Sequence, residues 1–177
     1  MLAEMAPPEL YARATLVVSG VVERSDAPVL VAAVGEDPGM PLLLTPHGVR
    51  VEAVHKDAVG ALLPFRRVHR DAKLAVYLLG GSTETLTMHV NSEATLTPGE
   101  RVIVFLSRGF TTPVLSPQPP LSYGVLGGFQ GKFTIVDSNG STLVTRGDAW
   151  GRMPLTEFTR RFLGEDETGP PVPVATA

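Results

Sequence analysis

Short apolar runs, separated by turn-forming residues, are the feature that most constrains the fold of this chain. Thr15 to Arg24, Lys73 to Leu79 and Arg101 to Leu106 are rich in valine, leucine and isoleucine. Runs of this length and composition are typical of strands, and the glycine, proline, asparagine and aspartate residues between them favour turns. The pattern predicts an all-β, mainly antiparallel fold, a sandwich or a barrel, with Arg101 to Leu106 as a central strand.

Asn139-Gly140 is the clearest turn signal. It lies between the apolar stretches Phe133 to Val136 and Thr142 to Val144. Because Asn-Gly readily adopts the positive φ angles of a two-residue hairpin turn, we predict a tight hairpin here.

Two other strand predictions rest on less regular patterns. Leu42 to Leu44 and Val49 to Val54 are predicted as one strand interrupted at Pro46-His47-Gly48. Thr85 to Val90 alternates apolar and polar residues, as a half-buried strand does.

Helical patterns occur near the two ends of the sequence. Pro7-Pro8 can open a helical turn, because proline suits the first helical position. Leu155, Phe158, Phe162 and Leu163 form one apolar stripe, which predicts a short helix that ends at Gly164.

The composition suits one packed domain. The chain has 177 residues, of which 44% are hydrophobic and 19% charged, and a chain of this size can bury a sizeable core. We expect residues 1–164 to form a single domain and the acidic, proline-rich residues 165–177 to form a flexible tail. Residues 110–120 include four prolines and predict an exposed loop.

Charge and cysteine content exclude several functional classes. The net charge of −3 argues against nucleic acid and anionic membranes as partners, since both require a broad positive field. The basic stretch from Arg66 to Lys73 is short and interrupted, and it predicts a solvated loop. Without cysteine the chain has no disulfides, thiolate metal sites or cysteine nucleophiles.

The first ten residues, MLAEMAPPEL, contain neither the basic nor the apolar region of a signal peptide. We therefore expect no leader and no transmembrane helix in the chain as written. The compartment stays open: cytoplasmic, or extracytoplasmic if a leader has been removed.

The motifs LVVSGVV, VRVEAVHKD, LGG, LTPGERVIVFLSR and GVLGGFQGKFTI together resemble those of a class of bacterial, usually exported domains of unknown function. The resemblance covers Leu16 to Val136 and implies an OB-like β-barrel. The netrin-like barrels of tissue inhibitors of metalloproteinases are more distant relatives in architecture. This chain lacks the amino-terminal cysteine with which those inhibitors chelate zinc, and the resemblance implies no catalytic residues.

The histidines are the first candidates for chemistry. His47, His55, His69 and His89 lack the close spacing of a compact metal site, so we expect neither a metal nor a cofactor. His55 and Asp57 are two residues apart and can share one face of a strand, which suggests a general base. A hydrolase that uses His55, Asp57 and a neighbour such as His69 is therefore one alternative, although no nucleophile motif accompanies them.

The glycines between Gly124 and Gly131, followed by Lys132, imitate a phosphate-binding loop. Such a loop requires a helix after the lysine, whereas Phe133 begins a predicted strand. The glycines are better explained by a bulge or a close strand crossing.

Because no group of residues matches a known catalytic motif, the sequence favours a non-enzymatic binding or assembly module. Its loops at residues 110–120 and 124–131 would face a protein partner or a second copy of the chain, and the oligomeric state stays open. A third alternative is single-stranded nucleic-acid binding through the OB-like face, although aromatic residues make up only 6% of the chain. The predicted contact residues are Phe110, Tyr123, Phe129, Gln130 and Trp150.

Overall fold

The computed structural model describes residues 4–32, 41–108, 123–146 and 150–164. Within these ranges most of the regular structure is β, and the helices are short. The strands are β1 Leu16–Ser25, β2 Val29–Ala32, β3 Pro41–Asp57, β4 Lys73–Leu79, β5 Gly81–Ser82, β6 Thr87–Met88, β7 Arg101–Arg108, β8 Tyr123–Val125, β9 Lys132–Ser138, β10 Ser141–Thr145 and β11 Arg152–Pro154. The α-helices are α1 Pro7–Arg13, α2 Ala58–Leu62 and α3 Leu155–Phe158, with 3₁₀ turns at Pro64–Arg66 and Gly128–Gly131 and a π-helical turn at Thr159–Leu163.

One large sheet contains all the strands except β5 and β6, which pair with each other. The expectation of a mainly β chain with few helices is confirmed. The sheet is mixed, because β4 and β8 run parallel where Val76 lies opposite Tyr123. Its other pairings are antiparallel.

β7 lies at the centre of the sheet, as its sequence predicts. It pairs with β1 over Arg101 to Leu106, and with β9 and β8 through successive parts of its length. The path β1-β3-β4-β8-β7 therefore returns to β1, which makes a closed cycle of pairings.

Both faces of β1 and β7 are buried, because successive side chains point to opposite faces of a strand. Val18 and Val104 belong to one apolar cluster, whereas Val17 and Phe105 belong to the other. The second cluster also takes in α1 and α3, through Leu10 and Phe158 among others. Helices α1 and α3 thus cover the face of β1 and β7 that points away from the first cluster.

β3 differs from the prediction. It continues through Pro46-His47-Gly48 as one strand of 17 residues. Pairing explains the continuity: Pro46, His47 and Gly48 lie opposite β4, and His47 and Gly48 also lie opposite β1. Cross-strand contacts on both sides outweigh the weak local preference of these residues.

The hairpin prediction is confirmed, since Asn139 and Gly140 have φ angles of 49° and 78° between β9 and β10. The carboxyl-terminal helix also forms and buries Leu155, Phe158 and Leu163, but its last turn widens into π geometry before Gly164. Thr85 to Val90 is strand only at Thr87–Met88.

The predicted loop at 110–120 and the predicted tail at 165–177 lie outside the described residues. Among the residues that are described, no helix is both long and apolar enough to span a membrane.

Candidate functional site

Two of the predicted contact residues lie in the interior. Tyr123 is 2% exposed, and burial raises the pKa of its phenol to about 12, with a further contribution from the charge of Asp57 and an opposing one from Arg108. Gln130 is also 2% exposed, and its side-chain oxygen accepts a hydrogen bond of 2.6 Å from the backbone N–H of Met5. Both side chains therefore stabilise the fold and offer little surface to a partner.

Trp150 and Phe129 lie closer to the surface, and Phe110 is outside the described residues. Trp150 is half-buried and makes edge-on contacts with Phe133 and Phe158, at centroid distances of 5.0 and 5.7 Å. Phe129 is 38% exposed on the 3₁₀ turn that follows β8. Of the four predicted residues that the structure describes, Phe129 has the clearest access to a partner.

The glycine-rich segment forms a tight turn in which the backbone of Gly131 approaches that of Leu126, five residues earlier. A Cβ atom at Gly131 would overlap the carbonyl oxygen of Leu126. Lys132 pairs with Glu100 at 2.5 Å between Nζ and Oε1, and both side chains are largely buried. The lysine is therefore engaged within the sheet and does not present its charge to a phosphate.

His55 and Asp57 are both buried and are held in separate hydrogen bonds. His55 Nε2 lies 2.7 Å from the hydroxyl oxygen of Ser19. The two carboxylate oxygens of Asp57 accept the backbone N–H groups of Gly60 and Val68, each at 2.8 Å. His69 is exposed. The structure thus gives Asp57 the role of a loop anchor.

A serine–histidine pair that the sequence does not reveal lies at the other end of β1. Ser25 Oγ is 2.7 Å from His47 Nδ1, because these residues lie opposite each other in the β1–β3 register. Of the two residues, His47 lines a pocket of about 190 Å³. The pocket is lined by Glu23, Arg24, Asp26, Pro46, His47, Gly48, Lys73, Leu74 and Ala75.

The electrostatics of this pocket are mixed. Burial lowers the pKa of His47, and the nearby charge of Asp26 partly opposes that effect. Glu23 contacts Arg50 at 3.0 Å and Lys73 at 3.8 Å. The environment of His47 therefore favours its neutral imidazole form, beside a surface network of compensating charges.

The two least buried large apolar side chains of the described residues, Leu62 and Phe65, lie in the connection between β3 and β4. Leu62 is 82% exposed, Phe65 80% and Leu63 41%. We call these three residues the apolar tip. The run Leu62-Leu63-Pro64-Phe65 was visible in the sequence, but its exposure was not, because an apolar run reads equally well as core.

The apolar tip stands on a well-defined base. Asp57 caps α2 at Gly60 and also binds the chain where it returns at Val68, whose side chain is buried in the first apolar cluster. Gly60 is required here, since a Cβ atom would overlap the Asp57 carboxylate and lie 2.9 Å from Arg67 Cα. The two ends of the protruding segment are therefore fixed to the same carboxylate.

Within the described ranges, no group of three or more histidine, aspartate or glutamate side chains is arranged to hold a metal ion. No protein-family model matches the chain, and the comparisons with curated proteins and with solved structures found no match either. Functional inference therefore depends on the geometry of the residues themselves.

Proposed function

We propose that this chain is a non-enzymatic binding module built on an OB-like barrel. The closed cycle β1-β3-β4-β8-β7 supports the scaffold, since OB-folds are partly open barrels of five strands. The buried residues between these strands, such as Val18, Val76 and Val104, form one continuous cluster, as the interior of a small barrel does.

The observation that carries the binding role is the exposure of the apolar tip. Leu62 and Phe65 retain four fifths of their surface in water, next to the partly exposed Leu63. Contiguous exposed apolar surface marks interaction sites, because leaving it in water costs free energy that contact with a partner recovers. In contrast, both carboxylate oxygens of Asp57, which the sequence paired with His55 as a candidate for acid–base catalysis, accept backbone N–H groups at the base of the tip.

The proposal predicts that the apolar tip is the main apolar contact surface of the protein. The double variant L62S/F65S should elute much earlier than wild type from a hydrophobic-interaction column. L30S is a matched control, because Leu30 is 57% exposed but lies on β2, away from the tip in sequence. Equal retention of wild type and the double variant would contradict the proposal, and thermal unfolding checks that each variant is folded.

Self-association through the tip is a specific form of this proposal. Light scattering at several protein concentrations would then show a discrete oligomer for wild type and a monomer for L62S/F65S. A monomer in both cases would direct the search to a partner other than a second copy.

A hydrolase is the second candidate, now with Ser25 and His47 in place of His55 and Asp57. A neutral imidazole 2.7 Å from a serine hydroxyl can accept its proton and so activate the nucleophile. The pocket beside it, about 190 Å³, is smaller than the 300 to 1,000 Å³ that is typical of ligand sites. For this reason we rank the enzyme below the binding module.

A fluorophosphonate probe separates the two candidates, since it labels activated serines covalently. The binding module predicts no labelling. Labelling of the wild type that disappears in S25A and in H47Q, but persists in S19A, would establish the enzyme instead.

Nucleic-acid binding through the sheet has less support. Stacking on bases requires accessible aromatic rings, whereas Phe105, Tyr123 and Phe133 on the central strands are buried.

A further inference from the structure

We infer that the apolar tip docks this protein on an anionic lipid surface. The inference rests on the proposed binding function and names its partner. It draws on the shape of the tip, on the charges beside it and on the way both are anchored.

The shape of the tip suits a bilayer. Side chains that are about 80% exposed touch little of their own chain, so Leu62 and Phe65 project outwards from the body. A protein partner would need a pocket complementary to this projection, whereas the acyl boundary of a bilayer accepts any apolar side chain. Leucine and phenylalanine are also typical of the apolar faces that insert at membrane interfaces.

Basic side chains follow the tip directly. Arg66, Arg67 and Arg70 lie within five residues of Phe65, and the last two are exposed. Within the described part of the chain, none of the three has a carboxylate oxygen within 4.0 Å. Their charges are therefore available to lipid phosphates and carboxylates.

The charge of this segment contrasts with that of the whole chain. Residues 58–73 contain four lysines and arginines but a single acidic residue, Asp71, whereas the chain has a net charge of −3. The expectation that an anionic membrane is disfavoured came from the total charge. A positive segment that directly follows the two most exposed large apolar side chains of the described residues reverses that expectation locally.

The two features fit one geometry. The Arg66 guanidinium lies 5.9 Å from the Phe65 ring centroid, so the cation sits close to the apolar side chain. Arginine can lay its aliphatic stem on apolar surface and keep its charge at headgroup level. Stable anchoring generally requires two signals, and a short apolar insertion combined with a basic cluster supplies both.

The anchoring supports a surface that is formed before binding. Asp57 fixes both ends of the segment, at Gly60 and Val68. Beyond it, the backbone groups of Asp71 and Ala72 bond to those of Val51 in β3, at 2.8 and 2.9 Å. The tip and the arginines are thus presented together by one connection that is fastened to the barrel strands at both ends.

The test is co-sedimentation of the full chain with vesicles of phosphatidylcholine alone or of phosphatidylcholine with phosphatidylserine. Each basic residue near an anionic surface strengthens binding about fivefold. With three arginines we expect binding to the anionic vesicles to be stronger by about two orders of magnitude, and to weaken as salt is added.

Two variants separate the contributions. L62S/F65S should lower the affinity for anionic vesicles at least tenfold, and R66Q/R67Q/R70Q should remove the preference for anionic over neutral vesicles. The matched control is R152Q/R160Q/R161Q, which changes the net charge equally at exposed positions outside the segment. The control should retain most of the affinity of the wild type.

Absence of binding to anionic vesicles would overturn the inference, as would an equal loss in the control variant. If the vesicles are not bound but column retention still depends on Leu62 and Phe65, the lipid inference fails and the binding module survives. An oligomer that dissociates in L62S/F65S without vesicle binding would assign the tip to a second copy. If retention is also insensitive to the tip, the proposed function itself fails.

Discussion

Replacing Asp57 by alanine removes the acceptor that fixes both ends of the tip segment. The N–H groups of Gly60 and Val68 would lose their partners, and the site is 4% exposed, so water cannot readily replace the carboxylate. D57N is a milder change, because the amide oxygen can still accept one N–H while the amide nitrogen faces the other donor.

The size of the effect follows from the two bonds. Hydrogen bonds to charged groups contribute about 1.5 to 3 kcal/mol each, and unsatisfied buried amides add to the loss. We expect D57A to lower the free energy of unfolding by about 3 to 5 kcal/mol. For a domain of this length, each kcal/mol shifts the melting temperature by about 2 to 4 °C, so Tm should fall by about 6 to 20 °C. The Tm of D57N should lie between those of wild type and D57A.

Thermal unfolding by circular dichroism measures Tm, and hydrogen exchange should show faster exchange at Gly60 and Val68 in D57A. Asp137 provides the control, since this exposed carboxylate accepts a hydrogen bond at the surface from the Thr142 hydroxyl. D137A should change stability by less than about 0.5 kcal/mol. A Tm of D57A within about 2 °C of wild type, which corresponds to roughly 1 kcal/mol or less, would refute the anchor role.

Three more predictions concern the fold and the pocket. G20A should lower the free energy of unfolding, measured with urea, by about 2 to 3 kcal/mol, because its Cβ would overlap the Arg50 carbonyl. G48A should cost much less, since its Cβ meets only a movable arginine side chain. Equal costs for the two variants would contradict this. As pH falls below 6.5, His47 gains a proton in the unfolded chain more readily than in the folded protein, because burial lowers its folded pKa. The stability of wild type should therefore decrease between pH 7.5 and 5.5 more than that of H47Q. Parallel plots of stability against pH for the two proteins would count against this. F158A should lower stability by about 3 to 5 kcal/mol, since the ring is fully buried between Phe133 and Trp150, and a loss below about 1 kcal/mol would contradict its core position.

Local patterns predicted the strands and the hairpin well. Arg101 to Leu106 is apolar at every position after the first, and such a run fits a strand that is covered on both faces, as β7 is. Asn139-Gly140 specifies its own backbone conformation, so its turn does not depend on distant residues.

The remaining features depend on tertiary contacts that sequence spacing does not contain. Pro46 looked like a break in the strand. However, Pro46 pairs with β4, and its neighbours His47 and Gly48 pair with both β1 and β4, so β3 continues through it. Tyr123 and Gln130 looked suitable for a partner, because polar aromatic and amide side chains are common at surfaces, yet both are buried in this fold. The exposure of Leu62 and Phe65 was not predicted, because an apolar run does not by itself show whether other residues cover it.

Asp57 shows the same dependence on tertiary contacts. Its place two residues after His55 suggested catalysis, but its carboxylate bonds to backbone N–H groups on the two sides of the apolar tip. A buried carboxylate is costly to retain unless its hydrogen bonds recover the free energy of desolvation. Here they do so by fastening a segment that contributes Val68 to the core while exposing Leu62 and Phe65. The same residue therefore accounts for the stability of the segment and for the presentation of its apolar surface, so D57A should weaken vesicle binding as well as lower Tm.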